Sequence, residues 1–199
     1  MSEKYQGVKF NFALVNIKKL DDYRITKLKK WCEVFDKENL APAYFGGSFG
    51  NLSFRLEKGK NIFIITGTQV GLKSKLDNEK FVKVLDCNLY TKEIFAEGTI
   101  KPSSESMLHY AIYKTRPDVN AIFHGHSADI LNSVVKLNFT ETLNEEPYGS
   151  IELVNSVLEI LNDKTKFFII KNHGFFAIES DMDRAGNLSI EMLQKSLKK

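Results

Sequence analysis

Two kinds of hydrophobic periodicity alternate along this chain, and their order constrains the fold more than any other feature. Short segments that are wholly apolar, or apolar at every second residue, have the pattern of strands. Longer segments with apolar residues three or four positions apart have the pattern of amphipathic helices. The predicted strands are 8–15, 52–56, 61–65, 81–86, 89–95, 120–123, 167–171 and 174–178, and the predicted helices are 22–38, 103–116, 127–135, 151–161 and 181–197.

Some predicted strands follow one another through short turns such as 57–60, whereas others are separated by helices. Strands joined by tight turns pair antiparallel, while an all-parallel sheet needs a crossover between every two strands. We therefore expect an α/β domain in which helices cover a mainly antiparallel or mixed sheet. Because no Pro/Ser-rich linker or internal repeat interrupts the 199 residues, we expect a single domain over residues 1–199.

Composition excludes several classes of function. The net charge is only +3, and acidic residues are interspersed with the lysine clusters, which is not typical of a nucleic-acid-binding protein. No apolar run approaches the roughly 18–20 residues of a membrane span, and charged or polar residues interrupt the first apolar stretch. Two cysteines, Cys32 and Cys87, are too few for a disulfide framework. We expect a cytoplasmic protein with reduced cysteines that binds neither nucleic acid nor a membrane.

Three of the four histidines occur in patterns suited to a metal ion. His124 and His126 follow a predicted buried strand, and residues two apart on an extended backbone point to the same face, with Cβ atoms about 7 Å apart. His173 lies between two later strands, and Gly174 after it permits close backbone approach. Three imidazoles with an open fourth position commonly hold Zn²⁺, and they suit Co²⁺ or Mn²⁺ as well. The alternative is that these histidines only make hydrogen bonds at strand ends.

A second group of polar residues opens the helix predicted at 103–116. Ser103 and Ser104 would present hydroxyls and backbone N–H groups to an anion, usually phosphate. The alternative is a simple helix cap. Glu105 would be a proton carrier if the metal site is near. His109, one helical turn later, is more typical of a buried hydrogen-bonding residue than of a fourth ligand.

Glycine-rich turns at 46–51 and 66–68 adjoin predicted strands. Exposed N–H groups in such turns can bind an anion. Most glycine-rich turns, however, are simply turns, so these segments alone do not indicate a site.

Taken in chain order, these motifs resemble the class II aldolase/adducin family. The matching segments are 48–53, 65–68, 102–105 with His109, 116–127, 147–150 and 172–174. The resemblance implies a three-layer α/β/α sandwich and a homotetramer with active sites between subunits. It also implies a divalent metal, usually zinc, bound by His124, His126 and His173, with Glu105 as the acid–base residue. The family's phosphate pocket would fall on Asn51, Thr68, Ser103 and Ser104.

The same resemblance implies a metal-dependent lyase that cleaves a small sugar or sugar phosphate by a retro-aldol reaction through a metal-stabilised enediolate. Glu105 favours an aldolase or a dehydratase, because the family's epimerases carry aspartate there. The alternatives are a dehydratase of the methylthioribulose-phosphate type and a non-catalytic, adducin-like interaction module. Two departures from the family pattern are Gln69, where its aldolases have glycine, and the lack of a tyrosine between His126 and Tyr148.

Overall fold

A computed structural model describes residues 7–198, so the expectation of a single domain over 1–199 extends beyond the described residues at both ends. The strands are β1 (Asn11–Asn16), β2 (Ala43–Tyr44), β3 (Gly47–Ser48), β4 (Asn51–Arg55), β5 (Phe63–Thr66), β6 (Phe81–Asn88), β7 (Glu93–Glu97), β8 (Ala121–Gly125), β9 (Phe167–Ile170) and β10 (Gly174–Glu179). The α-helices are α1 (Ile25–Lys37), α2 (Ser106–Thr115), α3 (Ala128–Leu131), α4 (Val134–Leu137), α5 (Ile151–Ile160) and α6 (Met182–Leu197).

Eight of these strands form one sheet in the order β1-β7-β6-β5-β4-β8-β10-β9. β1 pairs with β7 in parallel, and every other pair in this sheet is antiparallel. Helices α2 and α5 pack against one face, around a core that includes Phe63, Ile122 and Phe176. Helices α1, α3 and α6 pack against the other face, around Phe35 and Phe123. The expected layered α/β fold with a mixed sheet is confirmed.

The predicted helix 127–135 is interrupted and forms the two short helices α3 and α4. The Ser127 hydroxyl caps α3 by accepting from the backbone N–H of Ile130. At the break, the Ser133 hydroxyl donates to the backbone carbonyl of Asp129 at 2.8 Å. Serine side chains compete for backbone groups in this way, so the apolar spacing overestimates the helix here.

Two strand boundaries also differ from the prediction. The first strand begins at Asn11 instead of residue 8. The strand predicted at 89–95 is β7, which begins at Glu93, because the preceding residues form a turn around the Asn88 side chain. Its Oδ1 atom accepts from the backbone N–H groups of Tyr90 and Thr91, and Lys92 completes the turn with φ 55°. Local side-chain hydrogen bonds therefore override the apolar pattern in this segment.

Cys32 and Cys87 are both buried and not joined in a disulfide, as expected for reduced cysteines. Within residues 7–198, no helix has both the length and the apolar character needed to cross a lipid bilayer.

Candidate metal and substrate site

The antiparallel strands β4, β8 and β10 bring the candidate residues to one edge of the sheet. Asn51 at the start of β4 pairs with His124 near the end of β8, and β10 pairs with β8 on its other side. His126 follows β8, and His173 precedes β10. Residues separated by up to 122 positions in the chain, such as Asn51 and His173, therefore meet at this edge.

Two glycines permit this close approach of backbones. Gly50 has φ 73°, and a Cβ atom there would lie 2.6 Å from the carbonyl oxygen of His124. A Cβ atom at Gly174 would lie 2.5 Å from the carbonyl oxygen of Gly125 and 2.7 Å from Cε1 of His124. Any larger residue at 174 would therefore push His124 out of position.

The structure brings His124, His126 and His173 together, with one ring nitrogen of each within 4.8 Å of the others. The Nε2 atoms of His124 and His126 are 3.0 Å apart. Phe176 stacks on His124 with ring centroids 4.4 Å apart, and Phe49 stacks on His126 at 4.8 Å. These aromatic contacts hold the rings in place.

Ring nitrogens and carboxylate oxygens that can offer lone pairs converge at one point of this cluster. The Nδ1 atom of His124 lies 2.8 Å from the carbonyl oxygen of Phe175, which can only accept, so this nitrogen carries the proton. Nε2 of neutral His124 is therefore a lone-pair donor, yet it lies 3.0 Å from Oε2 of Glu105, which is also an acceptor. Oε1 of Glu105 lies 3.0 Å from Nε2 of His173. A divalent cation fits this set of donors. The Phe175 carbonyl accepts from Nδ1 of His124 and thereby leaves Nε2 free of a proton to face the cation, as hydrogen bonds behind metal-binding histidines commonly do.

Burial sets the protonation of these groups. It lowers the pKa of His124 to about 4, against the opposing effect of Glu105, and it holds the pKa of His126 well below its usual value. Both imidazoles are thus neutral at pH 7, as metal binding requires. Burial acts to raise the pKa of Glu105, and the hydrogen bond with His173 acts to lower it. The net result is a lowered pKa, and the group is a carboxylate.

Glu105 belongs to both the histidine cluster and the adjoining pocket. It is 4% exposed, and its Oε2 atom accepts a 2.6 Å hydrogen bond from Nδ2 of Asn51. Oδ1 of Asn51 is buried and has no hydrogen-bond partner among the described residues. The Asn51 amide therefore orients Glu105, and its remaining group is an acceptor suited to a substrate hydroxyl.

The predicted pocket residues Thr68, Ser103 and Ser104 line one pocket together with Asn51 and Glu105. The predicted helix 103–116 begins only at Ser106, so both serines lie in the turn before α2. Ser103 Oγ accepts a long, 3.4 Å hydrogen bond from the backbone N–H of Glu105. Glu105 is the N-cap residue of α2, but its side chain makes no capping hydrogen bond to the helix. Both serines line the pocket, and their role in binding an anion stays a prediction.

His109 is buried away from the histidine cluster. Its Nδ1 atom is 2.8 Å from Oγ of Ser53, and burial lowers its pKa to about 3. This agrees with the expectation of a buried hydrogen-bonding histidine.

Five further side chains line the pocket that the sequence did not predict as binding residues: Tyr44, Ser48, Phe49, Gln69 and Tyr148. Gln69 stood out in the sequence only as a departure from the family pattern. Tyr44 and Phe49 come from the small hairpin of β2 and β3, and their rings lie 4.8 Å apart. Tyr148 precedes α5. Phe49 lies within the segment 48–53, which matches the family. Tyr44 reaches the pocket because β2 pairs with β3, and strands of two residues are too short to show a hydrophobic period in the sequence.

Comparisons with known proteins show the family of this chain. Residues 29–198 match the family model described as the class II aldolase and adducin N-terminal domain. An L-fuculose phosphate aldolase of Methanococcus maripaludis is 30% identical over 180 residues, which cover 81% of this chain and 87% of that protein. A 3-oxo-tetronate 4-phosphate decarboxylase of Haemophilus influenzae is 30% identical over 165 residues, which cover 72% of this chain and 73% of that protein.

Among solved structures, an L-fuculose 1-phosphate aldolase superposes with a TM-score of 0.69 over 89% of this chain and 84% of that chain. Its sequence identity is 20%, so this match shows the shared fold alone. The residues that match the family model include strands β2 to β10, the start of α2 and the three histidines described above. The chain therefore belongs to the class II aldolase/adducin family.

Proposed function

We propose that this class II aldolase-family enzyme is a metal-dependent lyase that cleaves a carbon–carbon bond of a small sugar phosphate, working as a homotetramer with zinc as its metal. The observation that carries the proposal is the convergence of three imidazoles and the Glu105 carboxylate beside a pocket lined by hydroxyl and amide groups. A metal ion bound by His124, His126 and His173 would supply Lewis-acid polarisation of substrate oxygens.

The chain's own residues would supply binding and proton transfer. Thr68, Ser103 and Ser104 would bind the phosphate group, and Oδ1 of Asn51 would accept from a substrate hydroxyl. When the carbon–carbon bond breaks, its electron pair stays on the fragment that contains the phosphate. The Glu105 carboxylate would accept the proton that the substrate hydroxyl loses as its carbon becomes the aldehyde, and it would then deliver that proton to the carbon that keeps the electron pair. Glu105 is placed for both transfers because its carboxylate borders both the histidines and the pocket.

A second candidate is decarboxylation, because one relative is a 3-oxo-tetronate 4-phosphate decarboxylase. Loss of carbon dioxide also breaks a carbon–carbon bond and leaves an electron pair on a carbon that must be protonated. The same Glu105 position would serve both reactions. The released fragment, an aldehyde or carbon dioxide, distinguishes them.

The proposal is tested by screening the zinc-loaded protein against phosphorylated ketoses and 3-oxo acids for release of an aldehyde or carbon dioxide. We expect His124→Ala to lose bound zinc, measured by elemental analysis, and to lose turnover. We expect Glu105→Gln to keep turnover at no more than about 1% of the wild type, since general acid–base catalysis contributes about 10²–10⁴-fold. Wild-type turnover in Glu105→Gln with zinc bound would contradict the role of Glu105, and wild-type zinc content in His124→Ala would contradict the metal site.

A further inference from the structure

We propose that Gln69 determines substrate specificity, with its side-chain amide donating a hydrogen bond to the phosphate group of the substrate. This inference rests on the function proposed above and adds a residue to the phosphate-binding group. The observations that carry it are the backbone conformation of Gln69, the position of its side chain and the charge of the pocket around it.

The backbone of Gln69 adopts a conformation that glutamine rarely takes. Its φ of 52° lies in the left-handed region, where a Cβ atom is strained. Among the described residues, most positions with positive φ are glycine or asparagine, and the others are Gln69 and Lys92. Lys92 lies in the turn before β7, away from the pocket, whereas Gln69 lines the pocket.

Glycine would relieve this strain, and the chain uses glycine two positions later, where Gly71 has φ 77°. Residues held in such conformations cluster at ligand-binding positions, where the side chain compensates for the cost. The polar side chain at 69 is therefore better explained by a contact in the pocket than by the needs of the turn.

Gln69 is exposed and is one of the residues that line the pocket. Within residues 7–198, no hydrogen bond or ion pair occupies its amide. It lies next in sequence to Thr68, whose backbone N–H donates to the carbonyl of Lys101 and thereby joins this loop to the segment before Ser103. The loop that contains Gln69 and the turn that contains the two serines thus form adjacent walls of one pocket.

No lysine or arginine of the described chain lines this pocket. An anion bound there must be held by neutral donors, namely hydroxyls, backbone N–H groups and amides. Asn51 is not such a donor, because its NH₂ group is already bonded to Glu105. The NH₂ group of Gln69 is the side-chain amide that remains for a phosphate oxygen.

Isothermal titration of the zinc-loaded full-length protein with inorganic phosphate tests the inference. Gln69→Leu keeps the size and the backbone strain but removes the amide. We expect it to weaken phosphate binding by about tenfold or more, as loss of a hydrogen bond to a charged group does, while the thermal midpoint stays that of the wild type.

Gln69→Gly and Lys92→Gly form a matched pair, because each places glycine where the backbone has a strained, left-handed conformation. We expect both to raise the thermal midpoint, by about 1–3 °C. Only Gln69→Gly should weaken phosphate binding, and Lys92→Gly should bind like the wild type. Binding within twofold of the wild type in Gln69→Leu, equal losses in Lys92→Gly, or no phosphate binding by the wild type would each overturn the inference.

Turnover on sugar phosphates separates this inference from the proposed function. If the wild type binds phosphate through Gln69 but cleaves no substrate in the screen, the lyase proposal fails and the role of Gln69 stands. If the wild type cleaves a sugar phosphate and Gln69→Leu has an unchanged KM for it, the lyase proposal stands and the role of Gln69 fails.

Discussion

Lys73 is a buried cation immediately behind the pocket. It is 2% exposed, and its Nζ atom donates to the hydroxyl of Ser48 at 3.1 Å. No carboxylate of the described residues forms an ion pair with it, although Asp36 and Cys32 are near enough to raise its pKa slightly. Burial dominates and lowers the pKa of Lys73 from 10.5 to about 8. Lys73 thus joins the β2–β3 hairpin to the loop after β5 at a cost in stability.

We predict that Lys73→Met stabilises the protein at pH 7, because the buried charge is removed while most of the side-chain volume is kept. The lowered pKa sets an upper limit of about 3 kcal/mol, and loss of the Ser48 hydrogen bond reduces the gain to about 1–2 kcal/mol. Urea unfolding at pH 7 measures this difference.

The gain in free energy of unfolding from Lys73→Met should decrease as the pH rises. Below pH 8, Lys73 is protonated in both the folded and the unfolded protein, so the full cost applies. Between pH 8 and 10.5 the folded protein loses the proton first, and the cost disappears as pH rises. The advantage of Lys73→Met should therefore shrink over this range, whereas Lys75→Met, at an exposed position, should show no such trend. A constant difference from pH 7 to 10 would contradict the prediction.

At the scale of elements, α1 and α6 pack closely around Trp31. A Cβ atom at Gly186 in α6 would lie 2.3 Å from the ring of Trp31 in α1. Asp183, one turn earlier, accepts from Nε1 of Trp31 and from Lys27. Both the absence of a side chain at 186 and the polar contacts at 183 thus fix the position of Trp31.

We predict that Gly186→Ala destabilises the protein by about 1–3 kcal/mol, although alanine favours helices over glycine by about 1 kcal/mol. The added methyl group forces Trp31 out of its contact with Phe123. The control is Asn187→Ala, at the next and exposed position, where helix propensity alone should give a small gain. The thermal unfolding midpoints of both variants test this prediction. A higher midpoint for Gly186→Ala than for the wild type would contradict the close packing of Trp31 on Gly186.

The helix and strand pattern was predictable where burial decides the structure. Helix α6 and strands β8 and β10 lie where their apolar spacing placed them, because each buries a continuous face. The predictions failed where side chains bond to the local backbone. Asn88 ends β6 and delays β7, and Ser133 interrupts the helix after Ser127. The spacing of apolar residues in the sequence cannot reveal hydrogen bonds of this kind.

At the scale of the whole molecule, the metal ligands join distant parts of the chain. His124 and His126 follow β8, and His173 lies in the turn between β9 and β10. Their donor atoms meet only in the folded sheet, so a divalent ion should bind the folded chain far better than the unfolded chain.

We predict that Zn²⁺ at a thousandfold excess over its dissociation constant stabilises the protein by about 4 kcal/mol. The thermal midpoint should rise by about 8–16 °C, given about 2–4 °C per kcal/mol for a chain of this size. His173→Ala should lose most of this rise, and a chelator should reverse it in the wild type. An equal rise in His173→Ala would place the zinc elsewhere.

The spacing of the histidines suggested a shared site but left the alternative of simple hydrogen-bonding residues open, and the family resemblance implied the full set of three. The structure brings the three rings together. The sequence was insufficient for the detailed pocket. The orientation of the Asn51 amide toward Glu105 and the backbone conformation of Gln69 depend on hydrogen bonds and turns that form only in the assembled fold. The candidate metal ligands were therefore easier to predict from the sequence than the arrangement of the pocket side chains.

The parallel pairing of β1 with β7 also determines the order in which the sheet can be built. β1 lies at the sheet edge, and β7 is its neighbour, with Asn11 opposite Glu93. During synthesis β1 leaves the ribosome early, but it has no place in the sheet until β6 and β7 have been made and paired. Among the described strands, β1 is thus translated first but can pair only after β7 has been made, and until then its polar backbone groups must be hydrated or shielded by a chaperone.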